Sequence, residues 1–180
     1  PEALLVGSQV TIYGVMEGYL NRAVSMVMQQ MSGLQTDYYR DFNCDPIDVN
    51  TNGRWTAMYG TGGLIDLNTT QEVAEEQEKY VLLAISQMWE ALLFSTAADL
   101  WGAIPYSQAA NPEYAQPEFD SQQDVHMAVL DLIDDAIENF QKGQTFALPV
   151  EYDFTFSADI DRWIAAARTL KSRIYLNWAE

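Results

Sequence analysis

The segment between residues 71 and 98 places the strongest constraint on the fold. Its spacing is helical, and its apolar residues occupy most of the helix circumference. Asn68, Thr69 and Thr70 stand just before it and are typical of a helix start, and acidic residues follow in the first turn. A helix that is apolar on nearly every side must be surrounded by other elements. We therefore predict a helix over roughly 71–98 at the centre of a helical array. The residues on its overlapping apolar faces are Tyr80, Leu83, Ala84, Met88, Ala91 and Leu92.

The N-terminal part of the chain supplies helices that can pack against that segment. Apolar residues recur at helical spacing from about Glu2 to Met31, and the glycines within this stretch weaken the predicted helix. A second, short helix is indicated around Trp55, Met58, Tyr59 and Ile65.

The C-terminal part supplies two further helices. Asp120 or Ser121 can cap a fourth helix, and Gly143 suits its C-terminal end. The last helix begins near Asp159. Its buried stripe is predicted to contain Trp163, Ala167, Leu170, Ile174 and Trp178. Residues 146–156 are too short and isolated to imply a sheet, so the predicted fold class is all-α, with antiparallel helix pairs in one domain.

The charge of the chain excludes some classes of partner. The 180 residues carry a formal net charge of −17, which argues against nucleic acid and against adsorption to anionic lipid. Bases are concentrated in the last helix, for example Arg168, Lys171 and Arg173. These bases are expected to pack beside acidic segments of the same fold, with an anion site as the alternative. The single cysteine, Cys44, excludes an intrachain disulfide.

A search for catalytic and metal-binding patterns finds none. His126 is the only histidine, so a two-histidine metal site cannot be built, and we expect it at the surface or at a boundary. Asp41, Asn43 and Asp45 resemble the start of a calcium loop, but Pro46 occupies the glycine position and Asn52 the final glutamate position. We predict no metal, no cofactor and no catalytic residue. Carboxylate pairs of the glycosidase type stay open, although nothing singles out two acids.

An aromatic cluster around residues 38–55 has two possible roles. Tyr38, Tyr39, Phe42 and Trp55 stand among Asp, Asn and Arg side chains. Flat aromatic faces beside amides and carboxylates suit sugar rings, which stack on the face and hydrogen-bond through their hydroxyls. The alternative is that these aromatics attach a long loop to the helices.

The central helix is predicted to end at the sequence AADLWGAIPYSQAA, residues 97–110. Gly102 can adopt a backbone conformation closed to other residues, and Pro105 favours an extended Ile104. Trp101 and Tyr106 are then expected to fold back onto the helices, in a packing role.

This stretch resembles the signature of the SusD/RagB family, Asp-x-aromatic-Gly-x-x-Pro-Tyr-x-x-Ala. The matching residues are Asp99, Trp101, Gly102, Pro105, Tyr106 and Ala109. The segment from Asp159 to Trp163, the following TLKSRIYL, and Trp55-x-x-Met58-Tyr59 are also similar to family patterns. The resemblance covers nearly all of residues 1–180 and corresponds to the N-terminal part of family members, with the remainder absent.

The resemblance implies a tetratricopeptide-like array of helix pairs. It also implies a lipoprotein at the cell surface of Bacteroidota, anchored in the outer membrane through a lipidated cysteine upstream of Pro1. The implied partner is a SusC-like TonB-dependent transporter, and the implied activity is the non-catalytic capture of oligosaccharides, or of peptides in some members. Tyr38, Tyr39 and Trp55 are the candidate ligand residues, whereas Asp99, Trp101, Gly102, Pro105 and Tyr106 are expected to be structural. The alternative is a helical module that binds a peptide or a protein partner.

Overall fold

A computed structural model describes residues 1–32, 43, 48–143 and 148–178, with residues 48–52 described by their backbone alone. These residues form helices joined by turns, and within these ranges the only extended pairing is an isolated antiparallel bridge between Ile104 and Asp120. The predicted all-α class is confirmed. The α-helices are α1 (Glu2–Tyr13), α2 (Asn21–Val27), α3 (Asp48–Tyr59), α4 (Leu64–Glu76), α5 (Tyr80–Trp101), α6 (Gln122–Gln141) and α7 (Ile160–Leu176), with a π-helix (Gly14–Leu20) and a 3₁₀-helix (Val150–Tyr152).

Helix α5 lies at the centre of the array, as its sequence predicts. Sixteen of its 22 residues are buried, and it packs against α1, α4, α6 and α7. Its length and apolar composition would also suit a membrane-spanning helix, yet 89% of its apolar 18-residue stretch is buried inside the protein. Such burial is typical of a core helix, because neighbouring helices already cover its apolar surface.

The predicted start of the central helix at residue 71 is wrong. Helix α4 ends at Glu76, a three-residue break follows, and α5 starts at Tyr80. Glu78 takes a left-handed conformation with φ of 54°, and its amide donates to the Glu75 carbonyl at 3.1 Å. Asn68, Thr69 and Thr70 therefore lie inside α4 instead of capping a helix. The two threonine hydroxyls donate to carbonyls four residues earlier in the same helix.

The first helical segment is interrupted where glycines occur. Gly18 departs from helical geometry, with φ of −85° and ψ of −105°, inside the π-helix that joins α1 to α2. The segment ends at Val27, short of the predicted Met31. Ile65 is not part of the helix that carries Trp55, because α3 ends at Tyr59 and α4 starts after Gly63. A Cβ at Gly63 would lie 2.2 Å from the Met58 carbonyl oxygen, so this close approach requires glycine.

The caps of α6 and α7 confirm the predicted helix starts. The Ser121 hydroxyl accepts from the Asp124 amide at 3.1 Å, and the Asp159 carboxylate accepts from the Arg162 amide at 3.1 Å. Gly143 follows α6 with φ of 77°, as expected for a C-terminal cap.

Two expectations about the C-terminal helices are wrong. Trp163, Ala167, Leu170 and Ile174 are buried, but Trp178 lies beyond the end of α7 and is 47% exposed. His126, expected at the surface or at a boundary, is 1% exposed and therefore lies in the core. The Trp178 indole N–H donates to His126 Nδ1 at 3.0 Å, and the two rings lie 5.5 Å apart, so Trp178 helps to cover the imidazole.

The basic residues of α7 pack beside acids of the same fold. Lys171 Nζ contacts Asp134 of α6 at 2.5 Å, and Arg173 Nη2 contacts Asp99 of α5 at 3.3 Å. These pairs agree with the expected packing of the basic segment against acidic segments.

Candidate functional site

The segment that ends α5 forms a compact corner. Gly102 has φ of 74° and ψ of −114°, and any residue with a Cβ would be strained in this conformation. The chain then turns, and the Ile104 and Asp120 backbones exchange two hydrogen bonds, of 3.1 and 2.9 Å. This bridge joins the end of α5 to the start of α6, so the residues between them form a loop closed at its base.

The Asp120 carboxylate holds this loop together. It accepts from the Tyr106 amide, the Ser107 amide and the Ser107 hydroxyl at 2.8, 2.8 and 2.7 Å. Burial alone would raise the pKa of Asp120, but the hydrogen bonds from Ser107 and Tyr106 outweigh it and lower the pKa below its usual value. Asp120 is therefore held as an anion at neutral pH. Sequence reasoning considered it only as a helix cap.

Tyr106 points into the core. Its ring lies 5.0 Å from that of Phe94, and its hydroxyl donates to Glu90 Oε1 at 2.8 Å. Glu90 also accepts from Gln71 Nε2 at 2.6 Å. Burial raises the pKa of the Glu90 carboxyl, although both hydrogen bonds favour the charged form. Burial also raises the pKa of the Tyr106 hydroxyl, so that this group acts as a donor and not as an acid.

Asp99 connects three helices at the end of α5. It accepts from Asn177 Nδ2 at 2.9 Å and from Arg173 Nη2 at 3.3 Å, both near the end of α7. His126 Nε2 of α6 lies 3.2 Å from Asp99 Oδ1. The side chain of Asp99 is thus occupied by structural contacts.

Trp55 is the centre of an aromatic surface that packs against the corner. Its ring lies 5.6 Å from Trp101 in an edge-on arrangement and 5.1 Å from Tyr59. Phe119 stacks on it with a centroid distance of 6.5 Å and an interplanar angle of 21°, and is 65% exposed. We call Trp55, Tyr59, Trp101 and Phe119 the aromatic surface.

A shallow depression of about 410 Å³ opens beside Trp55 and Tyr59. Ile65, Pro105 and Pro117 line it with apolar atoms, and Ile65 is 48% exposed. The Tyr59 hydroxyl donates to the Pro105 carbonyl at 2.8 Å, which fixes the ring against the corner. Flat, exposed apolar faces of this kind suit the C–H face of a sugar ring.

The other candidate ligand residues, Tyr38 and Tyr39, lie outside the described residues, as does Phe42. The same is true of Asp41 and Asp45, the calcium-like pair. Within the described ranges, no group of three or more His, Cys, Asp or Glu residues is arranged to hold a metal ion. Sequence reasoning missed Phe119, which carries no periodic or motif signal and reaches Trp55 only through the tertiary fold.

Polar side chains surround a second concave region between α4, α5 and α6, which we call the polar groove. It consists of a cavity of about 450 Å³ and an adjoining one of about 500 Å³, with Asn68 and Glu72 in the walls of both. The first cavity also contacts Gln87 and Asp135, and the second contacts Glu90. Both volumes lie within the range of small-molecule sites, about 300–1,000 Å³.

A family model of SusD-like proteins matches residues 2–180 of the chain. The chain belongs to the SusD-like family. The description of this family is "Starch-binding associating with outer membrane". No curated protein matches the sequence.

Solved structures of SusD-like proteins share the fold of this SusD-like chain. A SusD/RagB family protein from Bacteroides thetaiotaomicron superimposes with a TM-score of 0.81 at 22% identity, over 96% of this chain and 37% of that one. A SusD homolog from Bacteroides uniformis gives a TM-score of 0.68 at 22% identity, over 97% of this chain and 38% of that one. A SusD-like protein, also from B. thetaiotaomicron, gives a TM-score of 0.72 at 20% identity, over 98% of this chain and 38% of that one.

The SusD-like chain therefore spans less than two-fifths of the length of these solved relatives. At this level of identity the likeness shows the fold. It leaves ligand and partner to be argued from the residues of this chain.

Proposed function

We propose that this SusD-like chain binds an oligosaccharide on its aromatic surface. In this proposal the protein is a non-catalytic lipoprotein at the outer membrane, anchored by a lipid, and delivers the sugar to a SusC-like TonB-dependent transporter. The family description, starch binding in association with the outer membrane, supports the class of ligand and the location.

The observation that carries the proposal is the parallel pair of Trp55 and Phe119 beside an apolar depression. Their rings are inclined by only 21°, and Phe119 is 65% exposed although it is aromatic. Isolated exposed apolar residues are common, but here Trp55 lines the apolar depression and also packs against the exposed ring of Phe119, so together they form one apolar platform. Such a platform buries the apolar face of a pyranose and leaves its hydroxyls free for polar neighbours.

Isothermal titration of the intact protein with a linear oligosaccharide of starch tests this assignment. We expect Phe119→Ala and Trp55→Ala each to weaken binding by about tenfold, because each removes an aromatic contact worth roughly 0.5–1.5 kcal/mol beyond its buried area. Tyr39→Ala and Tyr38→Ala test the two candidates in the undescribed segment. Tyr175→Ala is the control, because Tyr175 is 57% exposed on α7 and lies outside the aromatic surface.

Phe119→Ala is the more decisive variant, because Trp55 also packs on Trp101 and Tyr59 and its loss can disturb the fold. Circular dichroism and the thermal midpoint show whether each variant is folded. Unchanged affinity in a folded Phe119→Ala protein would exclude the aromatic surface as the sugar site.

A further inference from the structure

His126 is the single histidine of the 180 residues, and it lies where α5, α6 and α7 meet. Its side chain is 1% exposed, and the two ring nitrogens face different elements. Nδ1 accepts from the Trp178 indole N–H at 3.0 Å, just beyond α7, whereas Nε2 lies 3.2 Å from Asp99 Oδ1, near the end of α5. The proposed sugar site makes no use of this buried titratable group.

The contact with Trp178 determines the protonation state of the imidazole. An indole nitrogen donates a hydrogen bond and has no lone pair with which to accept one. His126 Nδ1 can accept from Trp178 only while it carries no proton of its own. The proton of the neutral ring therefore lies on Nε2, on the side of Asp99. The contact with Trp178 requires an uncharged His126.

The charged groups around His126 lie on the Nε2 side. From α5, Asp99 is the only acid within 4 Å of the imidazole among the described residues. From α7, Arg173 Nη2 lies 3.3 Å from the other oxygen of Asp99. The residues one turn away from His126 on α6 carry no charge: Gln122, Gln123, Val129 and Leu130. A second proton on the ring would therefore bring a cation beside Asp99 and a new donor in front of Trp178.

Protonation of Nδ1 turns the acceptor of the Trp178 contact into a donor. Two N–H groups then face each other where one hydrogen bond was made. We propose that His126, Trp178 and Asp99 form a pH-sensitive latch. Neutral His126 holds Trp178 against α6, whereas protonated His126 pairs with Asp99 and releases Trp178. Histidine is the side chain that ordinarily changes charge between pH 5 and 8, so the latch opens on mild acidification.

The position of Trp178 allows this release without loss of the fold. Trp178 is 47% exposed, so its indole N–H can donate to water once it has turned away. Its departure uncovers the imidazole and lets water solvate the new charge, which would otherwise be costly to bury. The buried residues of α7 end at Ile174, before the latch. The movement is therefore confined to the segment that follows α7.

Nitrogen–proton correlation spectra of the intact protein between pH 8 and 5 test the latch. The Trp178 indole cross-peak is assigned by its loss in Trp178→Phe, and the His126 ring signals by their loss in His126→Gln. We expect the Trp178 cross-peak to move to the position of a water-exposed indole, with the same midpoint as the His126 ring. Trp163 is the internal control, because its indole N–H donates to the buried carboxylate of Asp153 at 2.8 Å and should stay in place.

Two variants separate protonation of His126 from other effects of acid. In His126→Gln the amide oxygen can accept from Trp178 and does not titrate, so we expect a Trp178 cross-peak that is independent of pH over this range. In Asp99→Asn the imidazolium loses its anionic partner, so we expect the midpoint to move to lower pH.

Four results would overturn the proposal. They are a His126 ring that stays neutral at pH 5, a Trp178 cross-peak that stays in place while His126 gains a proton, an equal shift in His126→Gln, and movement of Trp163 together with Trp178, which would indicate general unfolding. An unchanged midpoint in Asp99→Asn would remove Asp99 from the latch. None of these measurements uses a sugar or a residue of the aromatic surface, so the outcome does not depend on the proposed function.

Discussion

Asp120 shows how one side chain organises the corner that follows the central helix. Its carboxylate accepts three hydrogen bonds from Tyr106 and Ser107, and its own backbone pairs with Ile104. Tyr106 can then reach Glu90, and Pro105 can accept from Tyr59 beneath the aromatic surface. Asp120 therefore stabilises the fold and also positions residues beside the proposed sugar platform.

Substitution of Asp120 by Asn is expected to lower the free energy of unfolding by about 2 kcal/mol at pH 7. The amide has only one acceptor oxygen and no charge, so the hydrogen bonds from Tyr106 and Ser107 are no longer made to a carboxylate, and hydrogen bonds to charged groups contribute about 1.5–3 kcal/mol. Because the pKa of Asp120 is lowered in the fold, this stabilisation is complete above the unfolded pKa of about 3.9 and is lost as the pH falls through the folded value.

Urea denaturation of both proteins between pH 2 and 7 measures this effect. The difference between wild type and Asp120→Asn should shrink as the pH falls below about 4. Asp131→Asn, an exposed acid on α6, should stay within about 0.5 kcal/mol of wild type. A difference that does not change with pH would show that the charge of Asp120 does not stabilise the corner.

Single residues also explain which parts of the site could be predicted. Trp55 and the residues of the corner belong to recognisable motifs or lie next to them, so the amino-acid pattern was sufficient to indicate them. Phe119 and Gln87 carry no such signal. Phe119 contacts Trp55 although the two residues are 64 positions apart in the sequence, and Gln87 contacts Asn139, which is 52 positions away on another helix. Contacts of this kind depend on tertiary packing, which periodicity does not encode.

At the scale of elements, periodicity predicted the type and order of the helices better than their ends. The helical pattern continues through the break between α4 and α5, and neither Gly nor Pro marks it. The break depends on Glu78, whose left-handed φ of 54° is uncommon outside glycine and asparagine. By contrast, the ends marked by Ser121, Gly143 and Asp159 were predicted because the residue types match their caps.

Glu78→Gly is expected to raise the free energy of unfolding by about 0.5–1 kcal/mol. Glycine removes the Cβ strain of a left-handed residue, about 1–2 kcal/mol, and part of this gain is offset by the greater freedom of glycine in the unfolded chain. Glu75→Gly is the matched control, because Glu75 is exposed within α4, where glycine lowers helix stability by about 1 kcal/mol. Thermal denaturation of the two variants should therefore give shifts of opposite sign.

If both variants lose stability, the break between α4 and α5 is not strained at Glu78. The comparison needs no knowledge of the ligand. Its outcome distinguishes a boundary that is set by local backbone geometry from one that is set by the packing of the two helices on either side.

At the scale of the whole molecule, the first helix closes the fold against a segment near the end of the chain. Gln9 of α1 is fully buried, its Nε2 donates to the Tyr152 carbonyl at 2.7 Å, and its Oε1 accepts from the Phe154 amide at 3.0 Å. Between these two residues lies Asp153, whose buried carboxylate accepts a hydrogen bond from the Trp163 indole at 2.8 Å. These contacts connect α1 to α7 through a segment without a regular hydrophobic pattern, so they could not be predicted from periodicity.

Gln9→Leu is expected to lower the free energy of unfolding of the intact protein by about 2–4 kcal/mol. Leucine has a similar volume but leaves the Tyr152 carbonyl and the Phe154 amide without their partner, and each unsatisfied buried group costs about 1–3 kcal/mol. Gln123→Leu is the control, because Gln123 is exposed in the first turn of α6 and makes no side-chain hydrogen bond among the described residues. Urea denaturation measures both. Equal, small effects would mean that solvent replaces Gln9 at both backbone groups, and that α1 is held to the rest of the molecule by its apolar face alone.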